Sequence, residues 1–224
     1  METMRLRTIT TDRNTRKMNT LDYYNRHAAA FSQDTFAVDF AETQERFLSC
    51  LPSGARILDF GCGAGRDTVY FRSRGFSVDP VDGSEEMCRA AEKNTGASVR
   101  QMLFGELDET EAYDGIWACA SVLHVPSDEL TAVFSKMIKA AKHGGALYLS
   151  FKYGTFEGER NGRYFTDFTE DSFLAFLRCT GAGESLADSS DEGGAEKFPA
   201  MWVTNDVRPD REDERWLNIL LKKA

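Results

Sequence analysis

Residues 56–67 read RILDFGCGAGRD: a short apolar run, then glycine at 61, 63 and 65, then an arginine and an acid that open an amphipathic segment. An apolar run of that length closed by glycines is a buried strand. Glycines lack a Cβ, so the backbone they form can take positive φ and pass close to a ligand. The strand, turn and helix pattern then repeats. FSVDPVD (76–82) is predicted as a second strand, with Pro80 an irregularity, followed by a helix over about 85–94. SVRQML (98–103), YDGIWACA (113–120) and ALYLSFK (146–152) are the third, fourth and fifth strands. Ser127 is expected to cap a helix whose Leu130, Val133, Phe134, Met137, Ile138 and Ala141 form one stripe, and Thr169 to cap another over about 170–179. Such alternation calls for a mainly parallel sheet with helices on both faces.

The ends of the chain read differently. AMWVTNDV (200–207) and RWLNILLKK (215–223) are separated only by RPDREDE, too short for a crossover helix, which predicts an antiparallel hairpin at the sheet edge. Near the start, TLDYYNRHAAAF places Leu21, Tyr24, Ala28 and Phe31 on one helical face, with Thr20 as a cap, and a second helix is expected over about 41–51, stopped by Pro52. GAGESLADSSDEGGAEK (181–197) is expected as an exposed connection. Residues 1–19 are expected as a flexible extension before a single domain over 20–224.

Charge narrows the function classes. The net charge is −9, and because residues 1–20 hold five basic and two acidic groups, the rest holds 22 basic and 34 acidic groups, or −12. An acidic body disfavours tight nucleic-acid binding. Five widely spaced cysteines with no C-x-x-C pair, and three histidines at no ligand spacing, predict reduced thiols and no structural metal. The apolar runs are too short for a bilayer and no secretory-type segment follows the start, so a cytoplasmic protein is expected.

The glycine turn is specific about its ligand. A dinucleotide fingerprint needs glycine at 66, where Arg66 stands, and no Gly-Lys-Ser/Thr of a phosphate loop follows. Asp59, two residues before the first glycine, disfavours a pyrophosphate and favours a ligand carrying cationic ammonium and sulfonium groups. Asp82 closes the next strand, where a carboxylate can accept both ribose hydroxyls of an adenosine.

ILDFGCGAGRDTVYF, VDPVDGSEEMCRAA, YDGIWACASVLHV and AKHGGALYLSF, in that order, resemble the motifs of class I S-adenosylmethionine (SAM)-dependent methyltransferases over about residues 20–155. The continuation GRDT and the terminal VRPDREDERWLNILLKK are similar to the tellurite-resistance-type, small-molecule branch. The resemblance implies an α/β, Rossmann-like, doubly wound sheet of seven mainly parallel strands ending in an antiparallel C-terminal hairpin, with SAM as cofactor. It implies Gly61, Cys62, Gly63 and Gly65 under the methionine moiety and ribose, Asp59 near the ammonium through water or backbone, or only capping the loop, Asp82 on the ribose, and Gly83, Ser84 and Met87 beside the adenine. Tyr24 or its neighbour Tyr23 is expected to close over the cofactor, and Ala118 to complete its set of contacts. Leu103 stands where many relatives carry an acid for the adenine amino group, leaving backbone groups and the face of Phe104 for that task.

Methyl transfer from a sulfonium is an in-line displacement with a neutral leaving group, so a missing catalytic triad says nothing against it. His124, just past the fourth strand, reads equally as a general base or as a hydrogen-bonded structural histidine. The cluster from Arg208 to Arg215 reads as a solvated hairpin, or as placing Arg208 or Arg215 against an anionic acceptor. A small-molecule or metalloid acceptor is expected, with a protein or RNA target, or a SAM-binding module without turnover, as alternatives. Asp59 and Arg66 argue against a nicotinamide-dependent oxidoreductase.

Overall fold

The computed structural model describes residues 20–180, 185–186, 199–208 and 211–224. The expected extension over 1–19 and most of the polar connection over 181–197 lie outside the described residues. Helices are α1 (residues 20–35), α2 (Ala41–Leu48), α3 (Arg66–Ser73), α4 (Glu85–Thr95), α5 (Ser127–Ala140) and α6 (Glu170–Cys179). Strands are β1 (Arg56–Phe60), β2 (Ser77–Asp82), β3 (Arg100–Gln101), β4 (Tyr113–Ala118), β5 (Ala141–Lys152), β6 (Glu157–Arg160), β7 (Arg163–Thr166), β8 (Ala200–Asn205) and β9 (Arg215–Lys222).

Seven strands form one sheet in the order β3-β2-β1-β4-β5-β9-β8, parallel from β3 to β5 and antiparallel at β5-β9 and β9-β8. The expected C-terminal hairpin is therefore present, with β9 as its inner strand. Strand period sorts the core: Leu58, Phe60, Ile116, Leu147 and Leu149 face one side with α5 and α6, while Ile57, Trp117 and Tyr148 face the other with α2 and α3. Each fully buried side chain of this size contributes about 1.5–3 kcal/mol. Gly115 lets α2 approach β4, since a Cβ there would lie 2.7 Å from Phe47.

Pro80 sits inside β2 without breaking the sheet. Ser77 N–H donates to Ala55 and Val81 accepts from Gly61, so the odd-numbered residues turn toward β1 and Pro80 turns toward β3. There β3 pairs only Val81 and Asp82, so no ladder bond needs the N–H that proline lacks.

Several expected boundaries differ. The third strand shrinks to two exposed edge residues, a common way of blunting a sheet edge. Helix α2 ends at Leu48, three residues before the expected stop, and Ala141 opens β5 instead of extending the α5 stripe. Ser127 does not cap α5; it is the first helical residue, and its backbone N–H and hydroxyl both donate to Glu157. Thr169 caps α6 as expected, accepting from Ser172 N–H. Strands β6 and β7 form a separate antiparallel pair that the strand reading above does not contain. No described helix is long and apolar enough to cross a membrane.

Candidate active site

The carboxyl ends of β1, β2 and β4 open onto a cavity of about 910 Å³, at the upper end of the range for ligand pockets. Its floor is the turn after β1, where Gly61, Gly63 and Gly65 all have positive φ (88°, 55° and 86°). Gly61 is required by packing as well as by φ: a Cβ there would lie 2.4 Å from Ser121 Cβ. Ser121 in turn donates to the Phe60 carbonyl at 2.6 Å, tying the loop after β4 to the end of β1.

Asp82 ends β2 beside this turn. One carboxylate oxygen accepts from Gly63 N–H at 2.9 Å and the other from Ser84 N–H at 2.8 Å, which fixes the group and leaves lone pairs for a ligand on the cavity it lines. Burial raises its pKa, against the lowering by the N–H groups of Ser84, Gly63 and Gly83. Ser84 itself is buried and caps α4, accepting from Met87 N–H and donating to Asn25 of α1.

Asp59 points away from the cavity lining. It is buried and accepts from Thr68 Oγ1 at 2.5 Å, and burial, then the neighbouring charge of Asp67, pushes its pKa up to about 8. Next to it, Asp67 accepts from Gln44 at 2.6 Å, from Arg66 through Nε at 2.8 Å and Nη2 at 2.9 Å, and from Trp117 Nε1 at 2.8 Å. Trp117 stacks on Tyr148 at 3.9 Å, and Tyr148 donates to Asn218, so the turn is braced through the sheet to β9.

Two elements cover the cavity. Helix α1 brings Leu21, Tyr24 and Phe31 over the turn, and the β6-β7 pair packs on α1 where Gly162 meets Tyr23 and Tyr164 N–H donates to Thr20. His124 sits beneath them. Its Nδ1 lies 2.6 Å from the Tyr164 carbonyl, which can only accept, so Nδ1 carries the proton and Nε2 accepts from the Tyr24 hydroxyl at 2.8 Å. Burial lowers the His124 pKa to about 4, with the Tyr164 carbonyl opposing and the charges of Arg163 and Arg160 adding. Burial also raises the Tyr24 pKa, so both partners are neutral at physiological pH.

Of the residues singled out from sequence, Tyr24, Gly61, Cys62, Gly63, Asp82, Gly83, Met87, Leu103, Phe104 and His124 line this one cavity. Asp59, Gly65, Ser84 and Ala118 do not. Gly65 faces α4, where a Cβ would lie 2.5 Å from Thr95, and Ala118 is wholly inside the sheet. Leu103 N–H is already taken by Glu106, which removes one backbone donor from adenine recognition. Arg208 and Arg215 both line the cavity, but Arg208 is committed to Asp206 by bonds of 2.9 and 2.5 Å, and Arg215 lies over the Tyr153 ring. Asp206 also takes Trp216 Nε1 and Lys152; burial pushes its carboxyl up, but Arg208 and the Trp216 N–H hold it far below the usual range. Sequence reading did not single out Arg163, Lys152 or Asp67.

Residues 57–145 match the family described as a methyltransferase domain. Malonyl-[acyl-carrier protein] O-methyltransferase of Pectobacterium atrosepticum is 32% identical over 135 residues, 55% of this chain and 53% of that protein. The chain thus spans about half the length of that curated relative. Among solved structures, 1,6-didemethyltoxoflavin-N1-methyltransferase of Burkholderia thailandensis, with its substrate and S-adenosylhomocysteine bound, matches with a TM-score of 0.67 at 18% identity over 91% of this chain and 85% of that one. A TehB-like SAM-dependent methyltransferase of Corynebacterium glutamicum matches with a TM-score of 0.60 at 17% identity over 89% of this chain and 99% of that one. At such identities the likeness speaks to the fold, and it agrees with the strand order found here. The matched segment, residues 57–145, is the one that holds the glycine turn and the acid closing β2, so over that stretch the chain is similar to methyltransferase domains, and its sheet has the fold of the solved methyltransferases.

Proposed function

We propose that this protein, over residues 20–224, is a SAM-dependent methyltransferase acting on a small-molecule acceptor. The observation that carries the reading is the pairing of Asp82 with the glycine turn: Gly63 N–H orients the carboxylate toward the cavity floor, where the backbone lacks side chains. A pyrophosphate set against that acid would be repelled, whereas ribose hydroxyls are donors to it. When bound, the cofactor supplies an electrophilic methyl group on a sulfonium that departs as a neutral thioether.

The chain's own residues bind, cover and orient. Gly61 to Gly63 bring backbone to the methionine part, Asp82 accepts the ribose hydroxyls, and Met87, Leu103 and Phe104 offer apolar surface to the adenine. Tyr24 and Phe31 of α1, with the β6-β7 pair, exclude water from the reacting side. His124, weakly basic and already accepting from Tyr24, orients the acceptor through that hydroxyl and does not ionise it in advance. This favours an acceptor atom that is nucleophilic without prior proton loss, such as an amine or ring nitrogen, or one already ionised at neutral pH. Malonyl-[acyl-carrier protein] O-methyltransferase and 1,6-didemethyltoxoflavin-N1-methyltransferase are by their names methyltransferases of a carrier-bound and a small molecule, which supports the acceptor class.

The test is turnover: purified protein with SAM and a panel of amine, phenol, thiol and metalloid acceptors, reading S-adenosylhomocysteine by mass spectrometry. Release above the acceptor-free rate, lost in Asp82→Ala, is expected. Release that is indifferent to Asp82→Ala contradicts the assigned cofactor site.

A further inference from the structure

Most charged groups lining the cavity are balanced within the protein. Arg66 pairs with Asp67, Arg160 with Asp167, and Lys152 and Arg208 with Asp206. Arg163 departs from this pattern. It is the first residue of β7, directly after the Asn161-Gly162 turn, and its guanidinium lies 4.5 Å over the Tyr23 ring and 5.1 Å from the Phe165 ring. Nη1 reaches the Tyr24 hydroxyl at a long 3.5 Å, while Nε is buried with no hydrogen-bond partner. Among the described residues no carboxylate forms an ion pair with it.

A guanidinium shielded by aromatic faces keeps its in-plane N–H groups for a partner, and its Nε and Nη edge matches the two oxygens of a carboxylate. Arg163 also lines a smaller cavity of about 90 Å³ behind Tyr23, with Asp34, Arg208 and Arg211; there Arg208 is paired with Asp206 and Arg211 with Glu214, which leaves Arg163 as the arginine of the three without a carboxylate among the described residues. An unpaired buried donor is costly, and a slight turn of the guanidinium toward an anion in the main cavity relieves that cost. Tyr24 joins Arg163 to His124, so an anion held here stands beside the acceptor half of the site.

We propose that Arg163 determines specificity by docking a carboxylate on the acceptor, which makes the substrate a small carboxylic acid with a separate nucleophilic atom. The proposal rests on the methyltransferase reading above. The docked carboxylate is not the methylated group, because its lone pairs are drawn to the guanidinium. The acceptor's amine, ring nitrogen or ionised oxygen donates a lone pair to the methyl carbon as the carbon–sulfur bond breaks. Sulfur keeps that bond's electron pair, and any displaced proton passes to water.

The test uses protein saturated with S-adenosylhomocysteine and, as probes, anthranilate, nicotinate, 4-hydroxybenzoate and 3,4-dihydroxybenzoate beside their carboxamides, with binding read by calorimetry. At least one acid is expected to bind roughly 10- to 100-fold tighter than its amide, the range for a charged hydrogen bond. Arg163→Gln should erase that preference, Arg163→Lys should keep part of it, and both should bind S-adenosylhomocysteine as the wild type does. The inference is overturned if no acid binds, if amides bind as well as acids, or if the preference survives in Arg163→Gln. It is also overturned if Arg163→Gln weakens S-adenosylhomocysteine as much as the acid, since the arginine then serves the cofactor's own carboxylate. Failure of the wild type to bind S-adenosylhomocysteine at all marks failure of the methyltransferase reading itself.

Discussion

Replacing Gly61 by alanine tests whether the glycine turn is built as described. Gly61 has φ of 88°, a region that costs a residue with a Cβ about 1–3 kcal/mol. The new Cβ would stand 2.4 Å from Ser121 Cβ and 3.0 Å from Ser121 Oγ. Ser121 cannot swing aside cheaply, because its hydroxyl is bonded to the Phe60 carbonyl at 2.6 Å. Overpacking of this kind adds about 1–3 kcal/mol, so Gly61→Ala should destabilise by about 2–6 kcal/mol. Ser121→Gly removes the obstructing atoms while leaving the backbone strain, and it sacrifices a hydrogen bond of about 0.5–1.5 kcal/mol. Urea unfolding of the wild type, both single variants and the double variant gives the coupling directly. The double variant should recover about 1–3 kcal/mol relative to the sum of the singles. A Gly61→Ala variant within about 0.5 kcal/mol of wild type, or a coupling of zero, would refute the close approach of the two loops.

Asp67→Ala leaves Arg66, Gln44 and Trp117 without their shared acceptor, so urea unfolding should show a loss of about 3–5 kcal/mol; a loss below about 1 kcal/mol contradicts its role as the acceptor that ties α2, α3 and β4 together. His124 should show no NMR titration between pH 5 and 8, since its pKa falls from 6.5 to about 4. In that window the unfolded chain binds a proton that the folded chain refuses, so the stability His124 contributes is present above about pH 6.5 and lost as pH falls toward 4. Over that range the loss amounts to at most about 3 kcal/mol, and it should be missing in His124→Gln when the two pH-stability curves are subtracted. A midpoint near 6.5 in the folded protein contradicts the buried Tyr24–His124 pair.

The sheet and the glycine turn were legible in the sequence because they depend on local periodicity and on residues that only one backbone geometry tolerates. Asp59 shows the limit of reading charge from position. The sequence places an acid at the strand end, but its side chain is spent on Thr68 and is not part of the cavity lining. Ala118 and Ser84 fail to line the cavity for the same reason: motif position names a neighbour, whereas the pleat or the helix cap decides where the side chain goes. The bond from Tyr24 to His124 spans 100 residues and leaves no local signal. The β6-β7 pair did leave one. Asn161 and Gly162 both take positive φ, 50° and 76°, as the Asn-Gly dipeptide at a two-residue hairpin turn should. Read that way, the dipeptide would have placed Arg163 at the start of a strand, though not beneath α1.

The most direct test of the account is calorimetric titration of S-adenosylhomocysteine into the wild type and Asp82→Ala. The wild type should bind one equivalent, and Asp82→Ala should weaken binding by about 1.5–3 kcal/mol, roughly 10- to 150-fold, for charged hydrogen bonds to the ribose lost. No detectable binding at millimolar ligand, or equal affinity in the two proteins, contradicts an adenosine cofactor held by Asp82 over the glycine turn.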